Sequence, residues 1–508
     1  MAARGRRLVN RAGIRLDGAV QFFHRKGPWQ NGSRPKVREA IFQYIGSGAR
    51  EHFSAVLRAN ELLLYLLLVC AFMLGGSSSD TGVRLLVICM IASIALPVAI
   101  LAGAWPRIWH LPLILRIALL LIPLVPALQL VPLPSPIWDM LPGREVAKNV
   151  LDLVDARGPA HPLTLSPSGT LLALLMLLPA YAAFFAASLL DEKGRERCVA
   201  LIILLVVLSI LVGVIQMGSA GATFNFFNSA HRGNLLGFFA NRNHEGLMLA
   251  VGAIFCIAFV NSRTVSRQSA IAWTAVLSIT FLATTIGTTS RAALGLMLLG
   301  LIVSVNIFII KTRWRTRALL LLSAIVLAAA TVYLLSFSAV VTNALARFND
   351  VAENGRGDIW RNSWPLVGEY FPWGSGMGTF VSVYAAGEPL DQVNFYYTNS
   401  PHNEYLGLLI ETGLPGILVL CIFAIAIVVR GWHLLRAPEA GGVFALPAGL
   451  AILLVALHSI VDYPLRTPAW IVLFAILVTS FFSVAEEKKT RVRVRTDRGN
   501  EGRQRIEP

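Results

Sequence analysis

Charge is scarce in this chain. Of its 508 residues only 14% are Asp, Glu, Lys or Arg, where an ordinary soluble protein carries about 25%. That shortage, with 56% hydrophobic residues, excludes a soluble globular enzyme of this length. Cysteine is sparse as well. Cys70, Cys89, Cys198, Cys256 and Cys421 all lie in or at the edge of apolar segments, so no disulfide is implied and they read as packing residues. Several catalytic signatures are missing: no GxxxxGK[ST] phosphate loop, no HExxH, no GxSxG, and no D-x-D diphosphate–metal motif between apolar runs. The histidines are scattered rather than spaced as metal ligands. The chemistry is therefore expected to need neither metal nor cofactor. No fixed-period repeat, low-complexity tract or separate soluble domain interrupts the pattern.

What is present is a succession of apolar runs, each of roughly the 17–22 residues that cross a bilayer core. They lie near 60–76, 85–105, 113–132, 169–190, 199–217, 244–261, 269–287, 292–310, 318–336, 414–430, 443–459 and 468–484. The expected fold is an all-α polytopic membrane protein of about twelve transmembrane helices. A basic segment, 1–58, precedes the membrane domain, 59–485, and a basic tail, 486–508, follows it. Threading the runs through a bilayer leaves 33 of the 44 Lys+Arg on one side and 11 on the other. The richer side holds both termini, GRER at 194–197 and KTRWRTR at 311–317, and is the cytoplasmic one by the positive-inside rule. The basic excess belongs to this topology and to anionic lipid, and no nucleic-acid partner is expected.

The poorer side matters more. Its basic residues are nearly all arginine, and most follow residue 230, in four polar loops. An arginine placed within the membrane costs about 2.5–3.5 kcal/mol, so it needs a partner. Phosphate is a natural one, because a guanidinium fork binds its oxygens in pairs. The first loop, HRGNLLGFFANRNHEG (231–246), offers Arg232 and Arg242. The second, TTSRAALG (288–295), is a short turn bearing Arg291. The third belongs to a long stretch, about 337–413, and carries Arg356 and Arg361; Arg356 is the better anion ligand, and Arg361 solvates a face or pairs with Asp358. The same stretch contains WGSGMG (373–378), whose glycines either cradle an anion or allow close packing, the second being favoured. In NSPHNEYLGLLIETGLPG (399–416), Ser400 reads as an N-cap and Gly413 as the helix end. His402 and Asn403 then occupy the first turn, where the helix dipole keeps His402 neutral and able to accept a proton. Glu404 follows as a second candidate base. In the fourth loop His458, Asp462 and Arg466 are spaced i, i+4, i+8, as a polar network ordering the helix ends or as substrate contacts. A separate stretch, 133–168, contains REVAKNVLDLVDARG, a short amphipathic helix for the membrane surface.

Taken in order, FFANRNHEG (238–246), SRAALG (290–295), GRGDIW (355–360) with PWGSGMGTF (372–380), SPHNEYLGLLIETGLPG (400–416) and HSIVDYPLRTPA (458–469) resemble the O-antigen ligase/polymerase family of bacterial envelope glycosyltransferases. The resemblance covers roughly 165–485. It implies a C-type glycosyltransferase-like fold in the bacterial inner membrane, with a long periplasmic loop and a periplasmic active site. It implies an undecaprenyl-diphosphate-linked glycan donor and a glycan acceptor, with a flippase and a chain-length regulator as possible partners. Carried onto this sequence, Arg291 and Arg356 hold the diphosphate, Arg232 or Arg242 adds charge, and His402 stands near the acceptor. Glu404 is the second choice of base, and Asn403, Asp462 and Arg466 support the site. The activities within this resemblance are a polymerase of O-antigen or exopolysaccharide, a ligase onto lipid A-core, and a protein O-oligosaccharyltransferase. From a different class, twelve helices with outward arginines would also suit an anion transporter, for instance of bicarbonate, although no repeat relates the two halves.

Overall fold

The computed structural model describes residues 47–79, 82–229, 231–263, 266–310, 356–393 and 397–484. The chain divides into two units, Met1–Ala55 and Val56–Pro508; of the first, only the opening of one helix is described. The helices are α1 (Ser47–Leu74), α2 (Gly82–Leu101), α3 (Leu113–Gln129), α4 (Glu145–Leu153), α5 (Pro167–Ser188), α6 (Glu192–Gly218) and α7 (Arg242–Arg263). They continue as α8 (Arg267–Gly287), α9 (Arg291–Val305), α10 (Arg356–Tyr370), α11 (Phe380–Gly387), α12 (Glu404–Arg436), α13 (Ala445–His458) and α14 (Pro468–Phe481). Among the described residues eight helices are long and apolar enough to cross a membrane, and α3, α13 and α14 are shorter apolar helices. These coincide with eleven of the twelve expected segments. The remaining one, near 318–336, lies outside the described residues, as do both termini and the basic run 311–317.

Helix α7 is the axis of the membrane domain. It is buried continuously from Arg242 to Ala258 and packs against α6, α8, α9 and α13. Its small residues let the neighbours close in. A Cβ on Gly246 would stand 2.3 Å from the Ala293 Cβ of α9, and one on Gly252 would stand 2.7 Å from Val206 Cγ1 of α6. With acyl chains outside, helices gain little from apolar contact alone, so close backbone approach is what holds them together.

The two ends of the bundle differ. At one, Arg197 pairs with Glu61 and Arg263 with Glu196, which ties the GRER segment to α1 and to the end of α7. At the other, the Ala240 amide donates to the Gly76 carbonyl and the Ala469 amide to the Gly75 carbonyl. The loops after α1, before α7 and before α14 are therefore tied together there, and the arginine-bearing loops share that end.

Two features depart from expectation. The stretch 133–168 holds a two-stranded antiparallel ribbon, β1 (Pro132–Pro134) and β2 (Ala160–Pro162), with Leu133 opposite His161, as well as the anticipated helix, α4. Proline-rich segments can pair this way because only a few ladder amides are needed. The helix expected to stop at Gly413 breaks there instead and resumes. Gly413 has φ +57°, and a Cβ on it would meet the Pro372 carbonyl oxygen at 2.1 Å, so only glycine lets the chain turn at that contact.

Replacing Gly246 with valine should therefore separate α7 from α9 and cost about 1–3 kcal/mol of stability. Gly82→Ala, whose methyl group meets open space, should leave stability unchanged. Thermal unfolding of the two variants in detergent provides the comparison; equal midpoints would refute the close-packing account of α7.

Candidate active site

Asp462 is the point on which the loops converge. It sits in the turn between α13 and α14 and is only 1% exposed. Its carboxylate accepts from Asn243 Nδ2 at 2.7 Å and, more loosely, from Asn241 Nδ2 at 3.3 Å. The amide of Tyr463 donates to it at 2.9 Å. His244 Nε2 approaches to 3.5 Å, His402 Nδ1 to 3.6 Å and Arg356 Nη2 to 3.5 Å. Three segments far apart in sequence thus meet one carboxylate. Burial works to raise the Asp462 carboxyl, but hydrogen bonding and charge from His244 and His402 outweigh it and hold the group well below the usual carboxylate range. It is ionised at neutral pH.

The elements that carry these side chains end here for local reasons. The turn from α8 into α9 is closed by Ser290, whose hydroxyl accepts from the Ala293 amide, and it leaves Arg291 as the first helical residue. Arg242 opens α7, is buried, and donates from Nη1 to Thr289 Oγ1 at 2.9 Å, which links the first and second loops. Arg356 opens α10. Three helices therefore begin with arginine at the same end of the bundle, where the helix dipole already supplies positive charge. Each such placement costs about 0.3–1 kcal/mol. Arginines on helix N-termini disfavour one another and favour an anion.

His402 stands beside Asp462 in a left-handed conformation, φ +50°. Its ring packs edge-on against Tyr463, which His244 also meets edge-on, with centroid distances of 4.9 and 5.3 Å. The Trp360 indole N–H donates to the Pro401 carbonyl at 2.8 Å and fixes the preceding residue to α10. This corrects the expected cap. Asn403, not Ser400, is the N-cap; its side chain accepts from the Leu406 amide, and α12 begins at Glu404. A residue with positive φ cannot continue a helix, so His402 lies just outside it and is held by Asp462 and Tyr463 rather than by a helical first turn.

The remaining predicted residues separate by what they touch. Both Glu404 oxygens are engaged, one by Ser459 Oγ at 2.6 Å and one by the Leu465 amide at 2.7 Å, so this carboxylate ties α12 to the turn. Arg466 forms a fork on the buried Glu411, at 2.7 and 3.3 Å. The i, i+4, i+8 spacing does not place His458, Asp462 and Arg466 on one face. Helix α13 stops at His458, and Arg466 lies in a short 3-10 turn that directs it to α12. Arg232 bonds Asn228 on the exposed part of its loop, whereas Arg242 is buried and bonds Thr289. Arg361 pairs with Asp358 at 2.9 Å on the surface, one of the two roles anticipated for it.

The glycine loop packs rather than binds. The Ser375 and Gly376 amides donate to the Ile410 and Glu411 carbonyls, and the Met377 amide to Gln129 Oε1. A Cβ on Gly374 would stand 2.5 Å from the Glu411 carbonyl oxygen. Those N–H groups are spent on the protein, so the close-packing reading of WGSGMG holds.

Sequence reasoning did not assign roles to His244, Asn241 and Asn243, though it noted their motif. Their signal was the run NRNH at the start of an apolar helix, four polar residues where lipid-facing ones would be cheaper. Among the described residues, no group of three His, Cys, Asp or Glu side chains is arranged to hold a metal ion.

Residues 275–421 match the family model described as O-antigen ligase. No curated protein matches the chain. The matched stretch includes Arg291, Arg356, His402 and Glu404; Asn243, His244 and Asp462 lie outside it.

The Asp462 charge predicts a pH signature. A carboxyl depressed in the fold stabilises it above the ordinary value of 3.8 and loses that contribution as pH falls through the lower, folded value. The stability difference between the protein and Asp462→Asn should hence be constant from neutral pH down to about 4 and narrow below it. A gap that closes between pH 8 and 6 would mean that histidine titration, not this carboxylate, governs the cluster.

Proposed function

We propose that this chain, whose residues 275–421 match the family model described as O-antigen ligase, transfers a glycan from undecaprenyl diphosphate to a sugar hydroxyl, building O-antigen or exopolysaccharide. A glycosyltransferase of the O-antigen ligase/polymerase type is the broad class. The lipid donor, the periplasmic face of the bacterial inner membrane and independence from metal are our finer reading. One observation carries it: Asp462 gathers His402 and Arg356 at one end of a membrane bundle, beside the loops that bear Arg242 and Arg291.

The chemistry follows from charge. As the bond from the anomeric carbon to the diphosphate oxygen breaks, the oxygen keeps the electron pair and negative charge grows on the leaving group. Arg242, Arg291 and Arg356, with the N-termini of α7 and α9, are suited to stabilise that charge. Diphosphate leaves readily, so no acid need protonate it. On the opposite face of the sugar the acceptor oxygen bonds to the anomeric carbon and its proton passes to His402. Nδ1 of His402 faces Asp462, which leaves Nε2 for the acceptor. Asp462 orients the ring and stabilises the imidazolium, as a buried carboxylate does for a histidine base elsewhere. Attack opposite the leaving group inverts the anomeric centre. Glu404, with both oxygens engaged, is a positioning residue for α12 in this scheme.

Purified protein given lipid-diphosphate glycan should turn over in the presence of EDTA; strict dependence on an added divalent cation would sink the metal-free mechanism. His402→Ala should lower kcat by about 10²–10⁴-fold. Arg356→Lys keeps the charge but loses the fork, and Arg291→Ala loses both; each should cost about 10²–10³-fold in kcat while membrane insertion stays normal. Turnover unchanged by all three substitutions would overturn the site. Polymerase and ligase are separable by acceptor: addition of repeat units to a lipid-linked glycan marks the first, and addition to lipid A-core the second. A flippase and a chain-length regulator encoded nearby would favour the polymerase.

A further inference from the structure

Helix α4 presents an apolar face to the outside. Val146, Val150 and Leu153 recur at helical spacing, lie within a narrow arc and are exposed, Leu153 at 86%. Ile137 and Met140, the latter at 84%, extend the patch back towards β1. Elsewhere on the helix Ala147 and Leu151 are partly covered, while Glu145, Asn149 and Asp152 form a polar arc. An apolar surface of this kind on a protein exterior marks an interaction site.

The flanking helices identify the occupant. Helix α3 exposes Ile117, Leu120, Leu124 and Leu128 at helical spacing, a stripe that faces acyl chains when the helix spans, and Val131 prolongs it past the helix end. Helix α5 exposes Leu171, Leu172 and Leu175 in its first turns, at the same end. Only a few residues separate Val131 from Ile137, and the β1–β2 ribbon closes the excursion back onto α5. The patch thus continues two lipid-facing stripes. Most of its charged neighbours are paired beside the patch rather than on it: Lys148 with Glu145, and Arg157 with Asp152 and Asp139. The apolar arc itself carries no charged side chain.

We propose that α4, with Ile137 and Met140, lies in the headgroup–acyl boundary of the leaflet on the Asp462 side, and that this seat fixes the height of the candidate active site above the hydrocarbon. The mechanical link is short. Arg144, at the start of α4, is buried and donates from Nη2 to the Leu163 carbonyl at 2.6 Å and to the Gly374 carbonyl at 3.4 Å. The Leu165 amide donates to the Ser375 carbonyl at 2.8 Å. The glycine loop so anchored bonds Glu411 of α12, and Glu411 holds Arg466, four residues from Asp462. A seat that reads the bilayer surface is in this way bolted to the turn that carries the carboxylate. The inference requires that the chain span a bilayer; it does not require glycosyl transfer.

The test uses the full-length protein in phospholipid vesicles, with the photoreactive residue benzoylphenylalanine placed singly at Val150, Leu153 or Asp152. Irradiation should yield phospholipid adducts at 150 and 153, several-fold more than at 152, as read by mass spectrometry. Adducts to a second copy of the chain at 150 and 153, or equal phospholipid yields at all three positions, would overturn the proposal. A second arm reads the seat without depending on the label's own packing. With the probe at Ile137, the pair Val150→Asp and Leu153→Asp should lose phospholipid adducts while the protein stays monodisperse in detergent. Retention of those adducts in the doubly substituted protein would also count against it.

Discussion

Positive charge concentrated at one end of a membrane bundle is unstable unless something negative is set among it. Here the N-termini of α7, α9 and α12 come together with guanidinium groups on Arg242, Arg291 and Arg356. Asp462 supplies the permanent counter-charge. Its burial would ordinarily expel a proton-free carboxylate, and it stays ionised only because Asn243, the Tyr463 amide and the two histidines face it. On the proposed reading, the positive charge gathered around this one carboxylate is what a diphosphate would meet.

The same carboxylate explains why the loops are where they are. Asn243 on α7, Arg356 on α10 and His402 before α12 have no common sequence neighbourhood, and each is brought in by a different packing device. Small residues on α7 admit α9, the Trp360–Pro401 bond holds α10 to the turn before α12, and Glu404 clamps that turn to residues 459–465. Arg466 and Glu411 then secure the other side of the turn. Residues that look catalytic by type, such as Glu404 and Arg466, are consumed in positioning. His402 differs from the buried His244 and His458 in being partly exposed, and it leans on Tyr463.

Much of this was legible in the chain because hydrocarbon imposes simple rules. Apolar length announces each span, and the scarcity of charge makes every arginine on the poorer side conspicuous. Eleven segments and the identity of the arginine loops could therefore be read directly. What could not be read depends on backbone geometry at single residues. The spacing of His458, Asp462 and Arg466 left open a polar network or substrate contacts; α13 ends at His458, and that break sends Asp462 and Arg466 to different partners. Ser400 and Pro401 looked like a helix start, yet the positive φ of His402 delays the helix to Asn403. The different surroundings of Arg232 and Arg242 were likewise closed to inspection, because they rest on side-chain bonds, to Asn228 for the first and to Thr289 for the second.

The glycine loop shows how far the site depends on parts that touch no substrate. Its amides might have been assigned to an anion by their pattern alone, but they are satisfied by α12 and Gln129, and the glycines are needed because carbonyls crowd where a Cβ would be. That crowding makes the loop rigid, and rigidity is what lets it act as a coupling. On one side it holds Glu411 and through it Arg466; on the other it receives Arg144. A lipid-borne substrate presents its reacting bond at a height fixed by the bilayer, so an enzyme for it must register its own groups against the same surface. On the proposed reading, the buried Arg144 joining that loop to an amphipathic helix would meet that need, since it transmits position without requiring the helix to approach the reacting atoms.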